Sequence, residues 1–339
     1  MSTSSLIIDL ESTSLSAAEA ELIQHPCVAG ILFFSRNFTN REQLCRLVES
    51  IRAVRSDLLL MVDQEGGQVQ RFKEEFTRLP APALYGRYYH RDPEGALELI
   101  HDTGWLMASE QLSCGIDLSI APVLDLDLGL TDVVGDRSFN SDPALVSRLS
   151  TGWIKGMREA GMASVIKHFP GHGSVNTDSH LALPEDPRTF EEIASRDLLP
   201  FKEQIDAGVP AVLPAHILFS SVDDQPSGFS RVWLQEILRG QLGFNGIIIS
   251  DCLTMEGAAS GGGYTERVSK ALEAGCQLLI LSNRDGVLEV LPWLEKRATE
   301  ACDLSPLKAG GGVEWSELQS MDRYLSCRDR LDHLFKRFA

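Results

Sequence analysis

The run Lys167-His168-Phe169-Pro170-Gly171-His172-Gly173, followed shortly by Asp178-Ser179-His180, gathers imidazole, ammonium and carboxylate groups into one short stretch. An imidazole titrates near neutral pH, so it can give a proton to one atom and later take one from another. A carboxylate two residues away, as Asp178 is from His180, can orient the ring and favour its charged form. The same mixture of ionisable residues recurs in Asp63-Gln64-Glu65-Gly66-Gly67 with Arg71 beyond it, in Asp125, in Asp136-Arg137, in His216, in Ser250-Asp251 and in Asn283-Arg284-Asp285. Asp251 directly follows an apolar run. It reads as a rigidly held nucleophile, a helix N-cap or a loop ion-pair partner. His168, His172 and His180 invite a zinc reading, but their spacings of four and eight make no compact ligand motif. No metal is expected. Gly261-Gly262-Gly263 and Gly310-Gly311-Gly312 lack the Gly-Lys-Ser/Thr of a phosphate cradle.

These polar segments stand at the ends of short apolar runs. Strands are predicted at residues 6–10, 28–34, 58–62, 117–120, 163–166, 211–214, 246–250 and 278–281. Several are almost wholly apolar, as expected of parallel strands buried on both faces. Helices are predicted at 41–56, 93–114, 142–161, 189–207, 230–240 and 265–274. Asp142-Pro143 and Ser230 supply starts, and Gly115, Gly161, Gly208, Gly240 and Gly275 supply stops. Eight βα-like units in succession predict an α/β fold, a single (β/α)8 TIM-like barrel. An open doubly wound sheet is disfavoured, because no Gly-x-Gly-x-x-Gly follows the first strand. Chemistry in such barrels sits at the C-terminal strand ends, and six of the eight predicted ends carry the segments above. The barrel is assigned residues 1–304. Residues 305–339 are expected to form a flexible joint at Gly310-Gly311-Gly312 and a C-terminal helix, with apolar positions at Leu318, Met321, Tyr324, Leu325, Leu331, Leu334 and Phe335.

The chain has 339 residues, 43% hydrophobic and 23% charged, which suffices for one large core. Asp and Glu outnumber Lys and Arg by 48 to 31, a net charge of −17. That balance argues against a nucleic-acid partner and against docking on an anionic membrane surface. Seven widely spaced cysteines read as reduced thiols of a cytoplasmic protein. No signal peptide and no membrane span are evident. The expectation is a cytoplasmic monomer acting on a small molecule without a cofactor.

Lys-His-Phe-Pro-Gly-His-Gly with Asp-Ser-His behind it, Asp-Gln-Glu-Gly-Gly upstream and Ser-Asp-x-Leu-x-Met downstream resembles glycoside hydrolase family 3. More narrowly, the pattern is similar to that of bacterial β-N-acetylhexosaminidases of peptidoglycan recycling. The likeness runs in order over about residues 6–300. It implies a (β/α)8 barrel, the fold reached above from the strands. It also implies a retaining exo-β-N-acetylglucosaminidase that releases terminal β-1,4-linked N-acetylglucosamine from 1,6-anhydro-N-acetylmuramoyl muropeptides through a glycosyl-aspartyl intermediate. By the resemblance, Asp251 is the nucleophile, His180 the general acid/base and Asp178 the group that orients it. Asp63, Arg71, Arg137, Lys167 and His168 match contacts to the non-reducing sugar, with a rim ion-pair network as the alternative for each. The loop at 171–178 is expected to close over the sugar. Cys252 stands where close relatives often carry a second Asp, and Gln68 where they often carry Arg, so position 68 is given no sugar contact. A phosphorylase is the alternative activity. A non-catalytic sugar-binding barrel is the alternative of another class, and it would have lost Asp251 or His180.

Overall fold

The structure, a computed structural model, describes residues 5–130, 133–175, 179, 182–297 and 302–338. Its eight main strands are β1 (Leu6–Ile8), β2 (Val28–Phe33), β3 (Leu59–Val62), β4 (Leu118–Ser119), β5 (Ala163–Phe169), β6 (Ala211–Pro214), β7 (Ile247–Ile248) and β8 (Leu279–Leu281). All run parallel, in the order β8-β1-β2-β3-β4-β5-β6-β7. A parallel bridge between Ile249 and Leu278 joins the two outer strands. The Ser250 N–H donates to the Leu278 carbonyl there, at 2.8 Å. The sheet is thus curled into a TIM-like barrel, with every predicted strand present.

Side chains alternate along the strands, and both faces are apolar. Ile7, Leu32, Leu59, Met61, Val165, Leu213, Ile249 and Ile280 fill the barrel interior. Leu6, Ile8, Ile31, Leu60, Val62, Ile166 and Val212 pack outward against the helices. Burial on both faces is why these strands read as continuous apolar runs. Leu307, fully buried, joins the interior cluster together with Ala163, Cys302 and Leu304 and plugs the N-terminal end of the barrel. The glycines expected to form a flexible joint run along the barrel wall. The Gly310 N–H donates to the Gly161 carbonyl at 2.9 Å, and a Cβ on Gly312 would fall 2.9 Å from Leu112 Cβ.

The helices follow the predicted order with instructive differences. Ala17–Leu22, Pro82–Tyr89 and Arg284–Lys296 are helices that the apolar periodicity did not reveal. The span expected as one helix at 189–207 is two, Phe190–Ala194 and Leu198–Asp206, because Asp197 turns to accept from Arg188 Nη1 at 2.8 Å. Ser230 does start the next helix, its Oγ accepting from the Trp233 N–H at 3.0 Å. That helix is a π-helix and runs past Gly240 to Gln241. The tail is also broken, into Trp315–Leu318 and Asp322–Phe338. The longer piece lies on the helix Pro93–Leu112 through buried Tyr324, Leu331 and Leu334. Arg323 and Arg330 hold Asp102 at 3.0 and 2.8 Å. Among the described residues, no helix is long and apolar enough to cross a membrane.

Candidate active site

The chain leaving β3 folds back at once. Gln64–Gly66 pairs antiparallel with Val69–Gln70. The turn between them uses Gly66 and Gly67 at φ of +102° and +58°, backbone conformations that a side chain disfavours. Gln64 Oε1 accepts from the Arg71 and Phe72 N–H groups at 3.0 and 3.1 Å. Gln70 Oε1 accepts from the Leu79 N–H at 2.9 Å. This small ribbon brings Asp63, Glu65, Val69 and Arg71 to one cavity at the C-terminal ends of the barrel strands.

Facing the ribbon is the end of β5. Its register against β6 shifts between Lys167 and Phe169, and the consecutive residues Lys167 and His168 both line the cavity. Lys167 Nζ donates to Asp63 Oδ1 at 2.7 Å and meets Glu65 Oε1 at 2.5 Å. Arg137 grips Glu65 with two bonds, Nε to Oε2 at 2.8 Å and Nη2 to Oε1 at 2.9 Å. Arg71 Nη2 stands 3.7 Å from Asp63 Oδ2. Burial alone would raise the Glu65 carboxyl, but Arg137 and Lys167 outweigh it and hold the group well below its ordinary value. Burial likewise works against charge on Lys167, and Asp63 and Glu65 outweigh it and raise its pKa. The rim ion-pair network and the predicted sugar contacts are therefore the same residues.

Behind them lies a second buried acid. Asp125, with no exposed surface, takes His168 Nδ1 on Oδ2 at 2.6 Å. Its Oδ1 accepts from the His172 N–H at 2.8 Å. Burial opposes charge on Asp125, but His168 and His172 outweigh it and lower its pKa. This pairing fixes the His168 ring and leaves Nε2 as its other polar atom. Burial pushes the His172 imidazole down, and Asp125 opposes the shift. His172 Nε2 lies 3.2 Å from Ser179 Oγ. The loop that carries His172 lies so close to Leu126 that a Cβ on Gly173 would come within 1.8 Å of the Leu126 oxygen.

Asp251 stands just beyond β7, half-buried, with Oδ1 accepting from the Cys252 N–H at 2.7 Å. Cys252 Sγ lies 2.9 Å from Thr254 Oγ1 and 3.4 Å from Ser282 Oγ. The fully buried His216 ring lies close by, and burial pushes its pKa down while the Asp251 charge opposes the shift. Six of the predicted residues, Asp63, Arg71, Arg137, Lys167, His168 and Asp251, line one cavity of about 180 Å3, together with Cys252. Asp178 and His180 lie outside the described residues. Gln68 is exposed and its Nε2 is 3.4 Å from Asp136 Oδ1. Sequence reasoning gave no role to Glu65, Asp125, His172 or Ser179. Glu65 was within reach, since strand alternation puts it on the same side of the ribbon as Asp63.

Carboxylates, guanidinium groups and an imidazole facing one small cavity suit a ligand rich in hydroxyls, which both donates and accepts hydrogen bonds. Comparison with known proteins agrees. Residues 4–301 match the N-terminal domain of glycosyl hydrolase family 3. A β-hexosaminidase from Tolumonas auensis is 48% identical over 337 residues, covering 98% of this chain and 99% of that one. The native NagZ structure from Neisseria gonorrhoeae superposes with a TM-score of 0.90 at 38% identity, covering 98% of both chains. The same gonococcal protein in complex with N-trifluoroacetyl-D-glucosamine gives 0.89 at 38% identity, with the same coverage. The chain therefore belongs to glycosyl hydrolase family 3, among its β-hexosaminidases.

Proposed function

We propose that the chain is a retaining exo-β-N-acetylglucosaminidase that acts in the cytoplasm on 1,6-anhydro-N-acetylmuramoyl muropeptides from cell-wall recycling. The observation that carries this reading is the convergence of Asp251 with Asp63, Arg71, Arg137, Lys167 and His168 on one cavity. Its volume of about 180 Å3 is below the range usual for drug-sized ligands, which supports a single terminal sugar. The gonococcal complex with N-trifluoroacetyl-D-glucosamine supports a small amino-sugar ligand. Asp63 and Arg71 bind hydroxyls of the ring, and the buried pairs beneath them keep both groups in position.

The reaction runs in two steps. Asp251 attacks the anomeric carbon as His180 protonates the departing oxygen, which leaves a glycosyl ester on Asp251. His180 then takes a proton from water, whose oxygen attacks the same carbon and releases the sugar and the free carboxylate. Asp178 orients the imidazole. The roles of Asp178 and His180 rest on the sequence resemblance. The test is hydrolysis of a chromogenic N-acetyl-β-glucosaminide and of an N-acetylglucosaminyl-anhydromuramoyl peptide, each with and without phosphate. Free N-acetylglucosamine from both supports the reading. The sugar 1-phosphate in its place makes the protein a phosphorylase, and turnover of the first substrate alone removes the muropeptide assignment. His180→Ala is expected to slow poor leaving groups more than activated ones.

A further inference from the structure

A second cavity, of about 390 Å3, lies at the opposite end of the barrel strands. Ala163 and Ser164, which begin β5, line it, whereas Lys167 and His168 near the other end of that strand line the sugar cavity. Its volume falls in the roughly 300–1,000 Å3 usual for small-molecule sites. Ile154, Met162, Val209 and Pro210 line it with apolar surface. Pro306 and Gly310 of the tail complete the wall. That wall is fixed in place. Leu307 is fully buried in the barrel interior, and the Gly310 N–H donates to the Gly161 carbonyl at 2.9 Å.

Lys155, Arg158 and Lys308 line the same cavity, all three exposed. Among the described residues no Asp or Glu lines it, in a chain whose net charge is −17. Lys155 and Arg158 make no ion pair among the described residues. The carboxylates that feel the Lys308 charge are engaged elsewhere. Asp57 takes Arg55 Nη2 at 2.6 Å, and Asp303 accepts from the Ser305 N–H at 2.9 Å. The helices Pro143–Ala160 and Leu198–Asp206 end beside the cavity, and each C-terminus brings about half a negative charge. Three full cations outweigh that. No aromatic side chain lines the cavity among the described residues, so an aliphatic body suits it better than a stacked ring.

We propose that this cavity binds a small amphipathic anion, an aliphatic body carrying one carboxylate or phosphate. The apolar residues take the body out of water. The cations hold the head through charge-assisted hydrogen bonds, and the Arg158 guanidinium can grip either head with two parallel bonds. The site uses no residue of the sugar cavity.

The experiment titrates the whole protein, labelled with 13C at its methionine methyls, with octanoate, octyl phosphate and 1-octanol below micelle-forming concentrations. Met162 lines this cavity and Met255 the sugar cavity, so their methyl signals distinguish the two. A saturable shift of Met162 with an unmoved Met255 is expected for at least one anion, with a dissociation constant of about 0.1–1 mM. The tighter of the two anions identifies the head as carboxylate or phosphate. 1-Octanol, with the same chain and no charge, is expected to bind about tenfold more weakly. Lys155→Glu combined with Arg158→Glu is expected to weaken the better anion about tenfold, and added salt to weaken it in the parent protein. Ala207→Phe narrows the cavity without touching its charge and is expected to weaken all three. The chromogenic hydrolysis rate of these variants is expected to match the parent, which separates a lost site from a lost fold. The proposal fails if neither anion moves Met162, if Met255 moves instead, if 1-octanol binds as tightly as the anions, or if the charge reversal leaves the affinity unchanged.

Discussion

Glu65 and Glu110 are each 2% exposed, yet the two environments drive their carboxyls in opposite directions. Glu65, lining the cavity at the barrel mouth, meets two cations, and their charges hold its pKa far below the ordinary range. Among the described residues, the hydrogen-bond donors to Glu110, under the C-terminal helix, are neutral, and the Arg328 charge is a minor influence. The Thr77 N–H and hydroxyl reach it at 3.0 and 2.6 Å, and the Tyr324 hydroxyl at 2.8 Å. Burial wins there, and the Glu110 pKa is raised. Burial is alike in the two places, so the partner decides the charge. Fixed charges are concentrated at the barrel-mouth cavity. Where one helix is only to be seated on another, a hydrogen-bonded acid suffices.

Removing the acid from the cavity tests this difference most severely. Glu65→Ala leaves Arg137 without its carboxylate and Lys167 with Asp63 alone. A loss of about 3–5 kcal/mol in urea unfolding is expected, with weakened sugar binding. A loss under about 1 kcal/mol would mean that the network is solvated and its charges are not fixed. The corresponding cut at the tail is smaller. Tyr324→Phe removes one donor from Glu110 and is expected to cost about 1–2 kcal/mol, with the chromogenic hydrolysis rate unchanged.

The smallest effect sharpens the contrast through pH. The folded-state pKa of Glu110 is raised above its ordinary 4.5. Its contribution to stability is therefore complete below that value and is lost as pH rises through the folded pKa. Glu110→Gln removes this dependence, so its stability relative to the parent protein is expected to increase from pH 5 to pH 8. Glu65 has the opposite sign. Its contribution is present above 4.5 and is lost only as pH falls through a much lower folded value. The cavity network should thus persist in mild acid. Unfolding measured across this range in the parent and in both variants separates the two acids.

Much of the barrel was legible in the sequence because its strands are apolar on both faces, as in Leu59–Val62. The short helix Ala17–Leu22 was missed although Ser16 and Glu19 form a capping box, a signal that apolar periodicity does not register. Six site residues were named from motifs, but their arrangement was not visible. A period of two predicts that Lys167 and His168 point apart, yet both line the cavity, at the place where the register of β5 shifts. The tail seam was invisible for a different reason. Arg323 and Asp102 are 221 residues apart, and no local pattern pairs them.

The proposed role of Asp251 as the residue that carries the sugar is open to a direct test. A fluorinated N-acetylglucosaminyl donor with a good leaving group slows the second step more than it slows loading, so the ester accumulates. Peptide mass spectrometry after brief incubation is then decisive. One sugar per chain is expected, on the peptide containing Asp251, and none in Asp251→Asn. An adduct on Asp63 or elsewhere, or turnover of ordinary substrate with inversion at the anomeric carbon, would contradict it.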